Sequence, residues 1–91
     1  MYQILNFVVT DPVGLYAGPA TELVDYVKQY NSHVTLSYSG KEVNLKSMMG
    51  VLSLGVPTKA KLMIKIEGLD EERAVKEIQE KVKELNISTF E

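Results

Sequence analysis

Several residue types that build common functional sites are absent from this 91-residue chain or occur once. It has no cysteine, which excludes a disulfide framework, a cysteine-ligated zinc site and an iron–sulfur cluster. The single histidine, His33, leaves one imidazole for catalysis or metal binding, and we expect no metal and no cofactor. No apolar run reaches the roughly 20 residues of a membrane-spanning helix, and the first residues do not resemble a signal peptide. The absence of cysteine fits a reducing cytosol, so we expect a cytoplasmic protein without membrane insertion.

Charge is modest, because 10 basic and 12 acidic residues give a net charge of −2. Residues 31–69 carry five lysines and two glutamates, whereas the segments on either side are net acidic. A mild basic patch on an acidic chain, without a nucleic-acid-reading motif, argues against direct binding of DNA or RNA. The length suits one domain that spans residues 1–91.

Four segments alternate between apolar and polar residues, a pattern that predicts β-strands. They lie at residues 3–10, 34–38, 41–45 and 61–67. Ser39-Gly40, between the second and third segments, is typical of a two-residue hairpin turn. The solvent-facing side of this sheet is predicted to carry Lys61, Lys65, Thr35 and Ser37.

Three segments carry apolar residues at helical spacing, and they lie at residues 19–30, 47–54 and 70–85. Pro19 suits the first turn of the first helix, because a missing N–H costs little there. Ser47 and Asp70 are the predicted N-caps of the second and third helices, and Gly55 ends the second. The third helix is predicted to bury Val75, Ile78, Val82 and Leu85. No helix or strand is predicted for the tail from Ile87 onward. The predicted order of elements is therefore β-α-β-β-α-β-α, with three helices covering one face of a four-stranded sheet.

Two stretches of sequence are more specific evidence of a protein family than the periodicity is. They are GLYAGPA at residues 14–20 and VNLKSMMGVLSLG at residues 43–55. Together they resemble HPr, the small phosphocarrier family of the bacterial sugar phosphotransferase system (PTS), and the resemblance runs nearly end to end. The second stretch resembles the form found in low-GC Gram-positive bacteria, in which HPr kinase phosphorylates the serine. The resemblance implies an α+β fold, an open-faced β-sandwich with a four-stranded antiparallel sheet and three helices on one face.

The first stretch departs from the HPr pattern at the two positions that carry the chemistry. HPr typically has a histidine and an arginine where this chain has Tyr16 and Gly18, whereas the flanking residues match. A tyrosine phenol has a pKa of about 10 and is a poor nucleophile at neutral pH without a nearby base. Gly18 supplies no cation for phosphate oxygens. We therefore expect no catalytic residue, no enzymatic activity, and no productive phosphorylation by Enzyme I.

Ser47 has two compatible roles. As an N-cap it stabilises its helix by about 1 kcal/mol, and the resemblance implies that it is also the regulatory phosphoacceptor of HPr kinase/phosphorylase. The surface around it is expected to bind the partner through Lys46, Met48, Met49, Leu52 and Leu15. The family's second partner is the catabolite-control repressor. In the family, an arginine at the position of Gly18 helps to hold the serine phosphate against the repressor. Because this chain lacks that arginine, repressor binding is less secure than kinase recognition.

Three hypotheses follow from these residues. The leading one is a regulatory protein of carbon catabolite control, similar to the Crh proteins, which look like HPr, lack the histidine and keep the serine. The second is a phosphocarrier that still acts in PTS sugar transport through Tyr16 or His33. The third is a diverged paralogue that keeps the fold and binds another partner, including a second copy of itself.

Overall fold

The computed structural model describes residues 1–90, with the backbone alone for Phe90, and Glu91 lies outside the described residues. Its elements in chain order are β1 (Gln3–Val9), α1 (Ala17–Val27), β2 (His33–Tyr38), β3 (Lys41–Asn44), α2 (Met48–Ser53), β4 (Lys61–Glu67), α3 (Glu71–Leu85) and β5 (Ser88–Phe90). The strands form one sheet in the order β3-β2-β4-β1-β5, and every neighbouring pair is antiparallel. None of the helices within residues 1–90 has the length and apolar character needed to cross a bilayer.

The core lies between one face of the sheet and the helices, which confirms the open-faced α+β sandwich. Alternation along the strands turns Phe7, Leu36 and Ile64 towards the helices, and each is at most 1% exposed. The central register aligns Leu5 with Ile64 and Phe7 with Leu62, so β1 and β4 contribute paired apolar residues. The opposite face carries the four predicted polar residues; Lys61 is exposed and the others are partly buried.

The hairpin between β2 and β3 follows the local sequence signal. Tyr38 pairs with Lys41, which leaves Ser39 and Gly40 as the two connecting residues. Both have positive φ, 51° and 82°, as a type I′ turn requires.

The predicted ends of the first helix are shifted by tertiary packing. α1 begins at Ala17 rather than Pro19, and it ends at Val27 rather than Tyr30. Tyr30 leaves the helix and is buried, with its hydroxyl donating to Glu77 Oε1 of α3 at 2.6 Å. Burial and this hydrogen bond raise the pKa of Tyr30, so its phenol remains neutral. The last predicted turn of α1 is therefore replaced by a link between α1 and α3.

The buried face of α3 also differs from the prediction. Ile78 and Val82 are fully buried as expected, but Ala74 is buried where Val75 was predicted. Val75 and Leu85 are partly buried and pack against the core from its edge. The sequence pattern did not indicate Ala74, because the hydrophobic signal of alanine is weaker than that of valine.

The sheet has five strands rather than the predicted four. Asn86 ends α3 in the left-handed conformation, with φ 57°, and turns the chain back towards β1. Ile87 is then 1% exposed, and β5 pairs antiparallel with residues 7–9 of β1. A three-residue strand is too short to show a period in the sequence, so the pattern gave no signal for it.

Asp70 occupies the predicted N-cap position of α3, but its side chain makes no cap bond to that helix. Its carboxylate accepts the N–H groups of Asn31 at 2.8 Å and Ser32 at 3.0 Å, together with the Ser32 hydroxyl. Gly68 permits this approach, because a Cβ there would lie 2.6 Å from Ser32 Cα. The Ser32 hydroxyl and the Asn31 N–H hold the pKa of Asp70 below its usual range. Asp70 thus ties the start of α3 to the segment that leads into β2.

Asp70→Asn is expected to lower the melting temperature at neutral pH. It is also expected to make the melting temperature depend less on pH in the acid range. An amide offers one acceptor oxygen in place of two and turns its own N–H groups towards donors. Because the pKa is lower in the folded chain, the stability from Asp70 is complete above about pH 4, the unfolded value, and is lost as pH falls through the folded value. Thermal unfolding by circular dichroism from about pH 7 to about pH 2 measures both effects.

The control is Asp25→Asn, which removes an exposed carboxylate that pairs with Lys28 at 3.4 Å. It is expected to leave the acid profile of the melting temperature unchanged, because exposed ion pairs contribute little. An Asp70→Asn profile parallel to that of the wild-type chain would contradict this role for Asp70.

Candidate functional site

The loop before α1 is fixed against the segment that follows α2. Gly14 has φ 86°, and a Cβ there would lie 2.4 Å from the Val56 carbonyl oxygen, so glycine is required. The N–H of Gly14 donates to the Asp11 carbonyl at 2.9 Å, and that of Leu15 donates to the Val56 carbonyl at 3.0 Å. These contacts set the direction in which the chain enters α1 and hence the position of Tyr16.

Tyr16 is the N-cap residue of α1 and has an extended backbone. Its carbonyl accepts the first helical hydrogen bond, from the Ala20 N–H at 3.0 Å. Its side chain makes no cap bond and is 43% exposed. The ring lies beside Gly18, with Cε2 at 3.5 Å from the point where a Cβ at residue 18 would stand. That is an ordinary van der Waals distance, so a Cβ fits at this position.

The start of α1 presents backbone groups but no cationic side chain at the two substituted positions. The N–H groups of Ala17 and Gly18 precede the first helical hydrogen bond, and Pro19 has no N–H to contribute. Such amides bind an anion weakly, and a phosphate carrier adds a cation and a nucleophile to them. Gly18 has no side chain to supply the cation, and Tyr16 places a phenol rather than an imidazole at the start of α1.

Ser47 caps α2 as the sequence predicted. Its Oγ accepts the N–H of Gly50 at 3.2 Å, and its carbonyl accepts the N–H of Val51 at 3.0 Å. The turn before it is ordered by Asn44, whose carbonyl accepts the Ser47 N–H at 2.9 Å and whose Oδ1 accepts the Lys46 N–H at 2.8 Å. Ser47 is partly exposed, and the bond from the Gly50 N–H gives its hydroxyl oxygen a defined orientation.

The apolar surface around Ser47 consists of Met49, which is 84% exposed, and Leu52, which is 45% exposed. Met48 is partly buried, and its sulfur accepts the Thr21 hydroxyl of α1 at 3.7 Å. The Lys46 ammonium is turned to the end of α1, where it donates to the Tyr30 carbonyl at 2.6 Å. Of the expected partner-binding residues, Met49 and Leu52 are therefore free to make contact, while Met48 and Lys46 also hold α2 in place.

Leu15 requires a correction as a partner-binding residue. It is 8% exposed and belongs to the core cluster. The turn at Asp11 reverses the chain, so Leu15 points inward, whereas Val13 is 70% exposed. Val13 was not among the predicted surface residues, although the Asp-Pro-x-Gly signal predicts a turn whose third residue projects outwards.

His33 lies apart from Tyr16 and Ser47. It begins β2 and is exposed, and it pairs with Glu67 of β4. Its neighbour Val34 is turned into the core, so alternation places His33 on the open face of the sheet, opposite the helices. No three histidine, cysteine or carboxylate side chains in the described part of the chain are grouped so that they could hold a metal ion.

Comparison with known proteins identifies the family. The model for the PTS HPr component phosphorylation site matches residues 5–84. A histidine-containing phosphocarrier protein from Mycoplasma is 29% identical, with a TM-score of 0.88 over 93% of this chain and 98% of that chain. The phosphocarrier HPr of Bacillus anthracis is 30% identical, with a TM-score of 0.79 over 88% of this chain and 95% of that one.

A third structure is that of Crh, the catabolite repression protein of Bacillus subtilis, solved as a domain-swapped dimer. It is 36% identical, with a TM-score of 0.70 over 81% of this chain and 85% of that chain. The family match spans most of the sequence, and the three helices and the antiparallel sheet agree with the HPr structures. The chain belongs to the HPr family of the phosphotransferase system.

Proposed function

We propose that this protein regulates carbon catabolism through phosphorylation of Ser47 by HPr kinase/phosphorylase and no longer acts as a histidine phosphocarrier. The observation that carries the proposal is the contrast between the two helix starts. Ser47 is ordered, partly exposed and flanked by an apolar surface, whereas the start of α1 holds Tyr16 and Gly18. In this proposal, the phosphorylation of Ser47 takes place in the cytoplasm.

The geometry of Ser47 suits a phosphoacceptor. Because Oγ accepts the Gly50 N–H, the hydroxyl proton is not used in that bond and can pass to a base of the kinase. Oγ then forms a bond to the γ-phosphorus of ATP, the bond from that phosphorus to ADP breaks, and ADP leaves. Val51, which is 2% exposed, anchors α2 in the core during the reaction.

Met49 and Leu52 provide the partner contact in this proposal. Both are apolar, both are exposed, and they lie within one and a half turns of Ser47 on a helix of six residues. The flexible methionine side chain adapts to different protein surfaces, which suits binding first to the kinase and then to a receptor of the phosphorylated form. The catabolite-control repressor is the second partner proposed. Its phosphate contact lacks an arginine at residue 18.

Incubation with a Gram-positive HPr kinase and ATP is expected to add one phosphate to the wild-type chain and none to Ser47→Ala. Intact mass spectrometry with site mapping measures this. The cap loss in Ser47→Ala costs about 1 kcal/mol, and circular dichroism checks that the variant remains folded. Ser53→Ala is the matched control, because Ser53 is on the same helix and donates to the Gly50 carbonyl at 2.6 Å. A wild-type chain that stays unmodified refutes the proposal.

Met49→Ser is expected to lower kcat/KM for phosphorylation of Ser47 about tenfold without a change in melting temperature. The side chain is 84% exposed, so its loss affects docking rather than the core. Leu69→Ser serves as the control, because Leu69 is a fully exposed apolar residue after β4. Equal kcat/KM values for the two variants would show that the kinase does not use Met49.

The double variant Tyr16→His/Gly18→Arg is expected to accept phosphate from Enzyme I and phosphoenolpyruvate, whereas the wild-type chain does not. The loop fixed by Gly14 is retained, and a Cβ at residue 18 meets no closer contact than 3.5 Å. The introduced imidazole has a pKa near neutrality, and the introduced guanidinium can bind phosphate oxygens. Labelling with radioactive phosphoenolpyruvate measures the gain, with Gly18→Arg alone as the control. Labelling of the wild-type chain on Tyr16 or His33 would instead favour a working phosphocarrier.

A further inference from the structure

Gly50 is the third residue of α2, and its backbone conformation does not call for glycine. Four glycines in the described part of the chain have a positive φ, and Gly50 is not among them. Glycine is among the poorest helix formers and alanine is the best, so glycine weakens a helix of only six residues. This helix carries Ser47 at its N-cap, and the cost in helix stability therefore falls on the proposed phosphorylation site.

Packing does not require glycine at residue 50 either. A Cβ there would lie 3.4 Å from the Cβ of Val43 in β3 and 3.5 Å from the Cβ of Ser47. These are close contacts rather than clashes, and alanine fits if its neighbours move by a few tenths of an ångström. Neither the backbone nor the packing of α2 therefore explains why residue 50 has no side chain.

The nearest neighbour of that Cβ would be the hydroxyl oxygen of Ser47. The Cβ would lie 3.3 Å from Ser47 Oγ, which is tighter than most Cβ contacts in proteins. Of the two residues it would press against, Ser47 is the one whose side chain can turn, because Val43 packs against the core. A side chain at residue 50 would therefore crowd Oγ and displace it from the position in which it accepts the Gly50 N–H at 3.2 Å.

We infer that Gly50 is a positioning residue for the phosphorylation of Ser47, because it leaves Oγ uncrowded and aligned for the phosphoryl donor. The inference rests on the proposed function. In the transfer, Oγ forms a bond to the γ-phosphorus of ATP, the bond from that phosphorus to the oxygen of ADP breaks, and the hydroxyl proton passes to a base of the kinase. The reacting atoms must first be held about 3–3.5 Å apart and in line. A carbon at 3.3 Å from Oγ would take up part of the space around that oxygen.

Gly50→Ala tests this role in steady-state kinetics with a Gram-positive HPr kinase and ATP. kcat is expected to fall about tenfold, because a small displacement of a reacting atom is costly. KM for the protein is expected to change less than about twofold, since Met49 and Leu52 remain exposed for docking. The melting temperature is expected to stay within about 3 °C, because the better helix propensity of alanine offsets the tighter contacts.

Ser53→Ala is the matched control for these kinetics. It also puts the best helix former into α2, but at an exposed residue whose hydroxyl donates to the Gly50 carbonyl at 2.6 Å. Its kcat is expected to equal that of the wild-type chain. An unchanged kcat for Gly50→Ala overturns the inference while the proposed function stands, and a lower melting temperature would then assign the glycine to packing. A wild-type chain that the kinase leaves unmodified refutes the proposed function, and the inference with it.

A thiol at residue 47 measures the crowding without the kinase, because the chain has no cysteine of its own. Iodoacetamide is expected to alkylate Ser47→Cys severalfold faster than Ser47→Cys/Gly50→Ala. At about pH 9.5, above the usual thiol pKa of about 8.5, the rates report access to the sulfur rather than its ionisation. Intact mass spectrometry follows the reaction, and equal rates for the two variants overturn the inference.

Discussion

The antiparallel pairing of β1 with β4 is the constraint on which the other features depend. It joins residues 3–8 to residues 61–66, and it buries Phe7 and Ile64 in the centre of the core. With the sheet fixed in this way, α1 and α3 have a single apolar surface on which to bury their own apolar faces. The loop that follows β1 is then brought against Val56, where only glycine fits at residue 14. The outer side of β1 is the edge to which β5 adds.

The position of a helix start and the chemistry it performs are separate properties of this fold. α1 begins where the packed loop places it, whichever side chain occupies the N-cap position. A histidine and an arginine there would make a phosphocarrier site, while Tyr16 and Gly18 leave the backbone frame without nucleophile or cation. α2 keeps its serine in an ordered cap, and the proposed phosphorylation takes place on that residue.

Several polar side chains connect elements that the core alone would leave loosely oriented. The Tyr30 hydroxyl joins α1 to α3, the Tyr30 carbonyl receives Lys46 from the turn before α2, and Asp70 receives Ser32 from the segment before β2. Each link satisfies groups that would otherwise lose hydrogen bonds on burial, so each contributes orientation as well as stability. Lys46 is an example, because its ammonium links the turn before α2 to the Tyr30 carbonyl.

The sequence by itself determined what depends on neighbouring residues. The alternation of β1 and β4, the Ser39-Gly40 turn and the Ser47 cap are interactions within a few positions, and the structure has all three. The family resemblance added the fold, because two local motifs were enough to identify it. The open face of the sheet followed from the same alternation.

Tertiary structure alone decided what depends on distant residues. Leu15 became a core residue because the loop folds onto Val56, and Asp70 accepts donors from residues 31 and 32 rather than capping its own helix. β5 exists because Ile87 finds a buried site beside β1, about 80 positions earlier in the chain. The three residues of β5 are too few to show a period in the sequence. They form a strand because the edge of β1 offers backbone groups with which to pair. The physical reason is the same in each case: a side chain or backbone group is satisfied by a partner that folding supplies and that sequence spacing does not reveal.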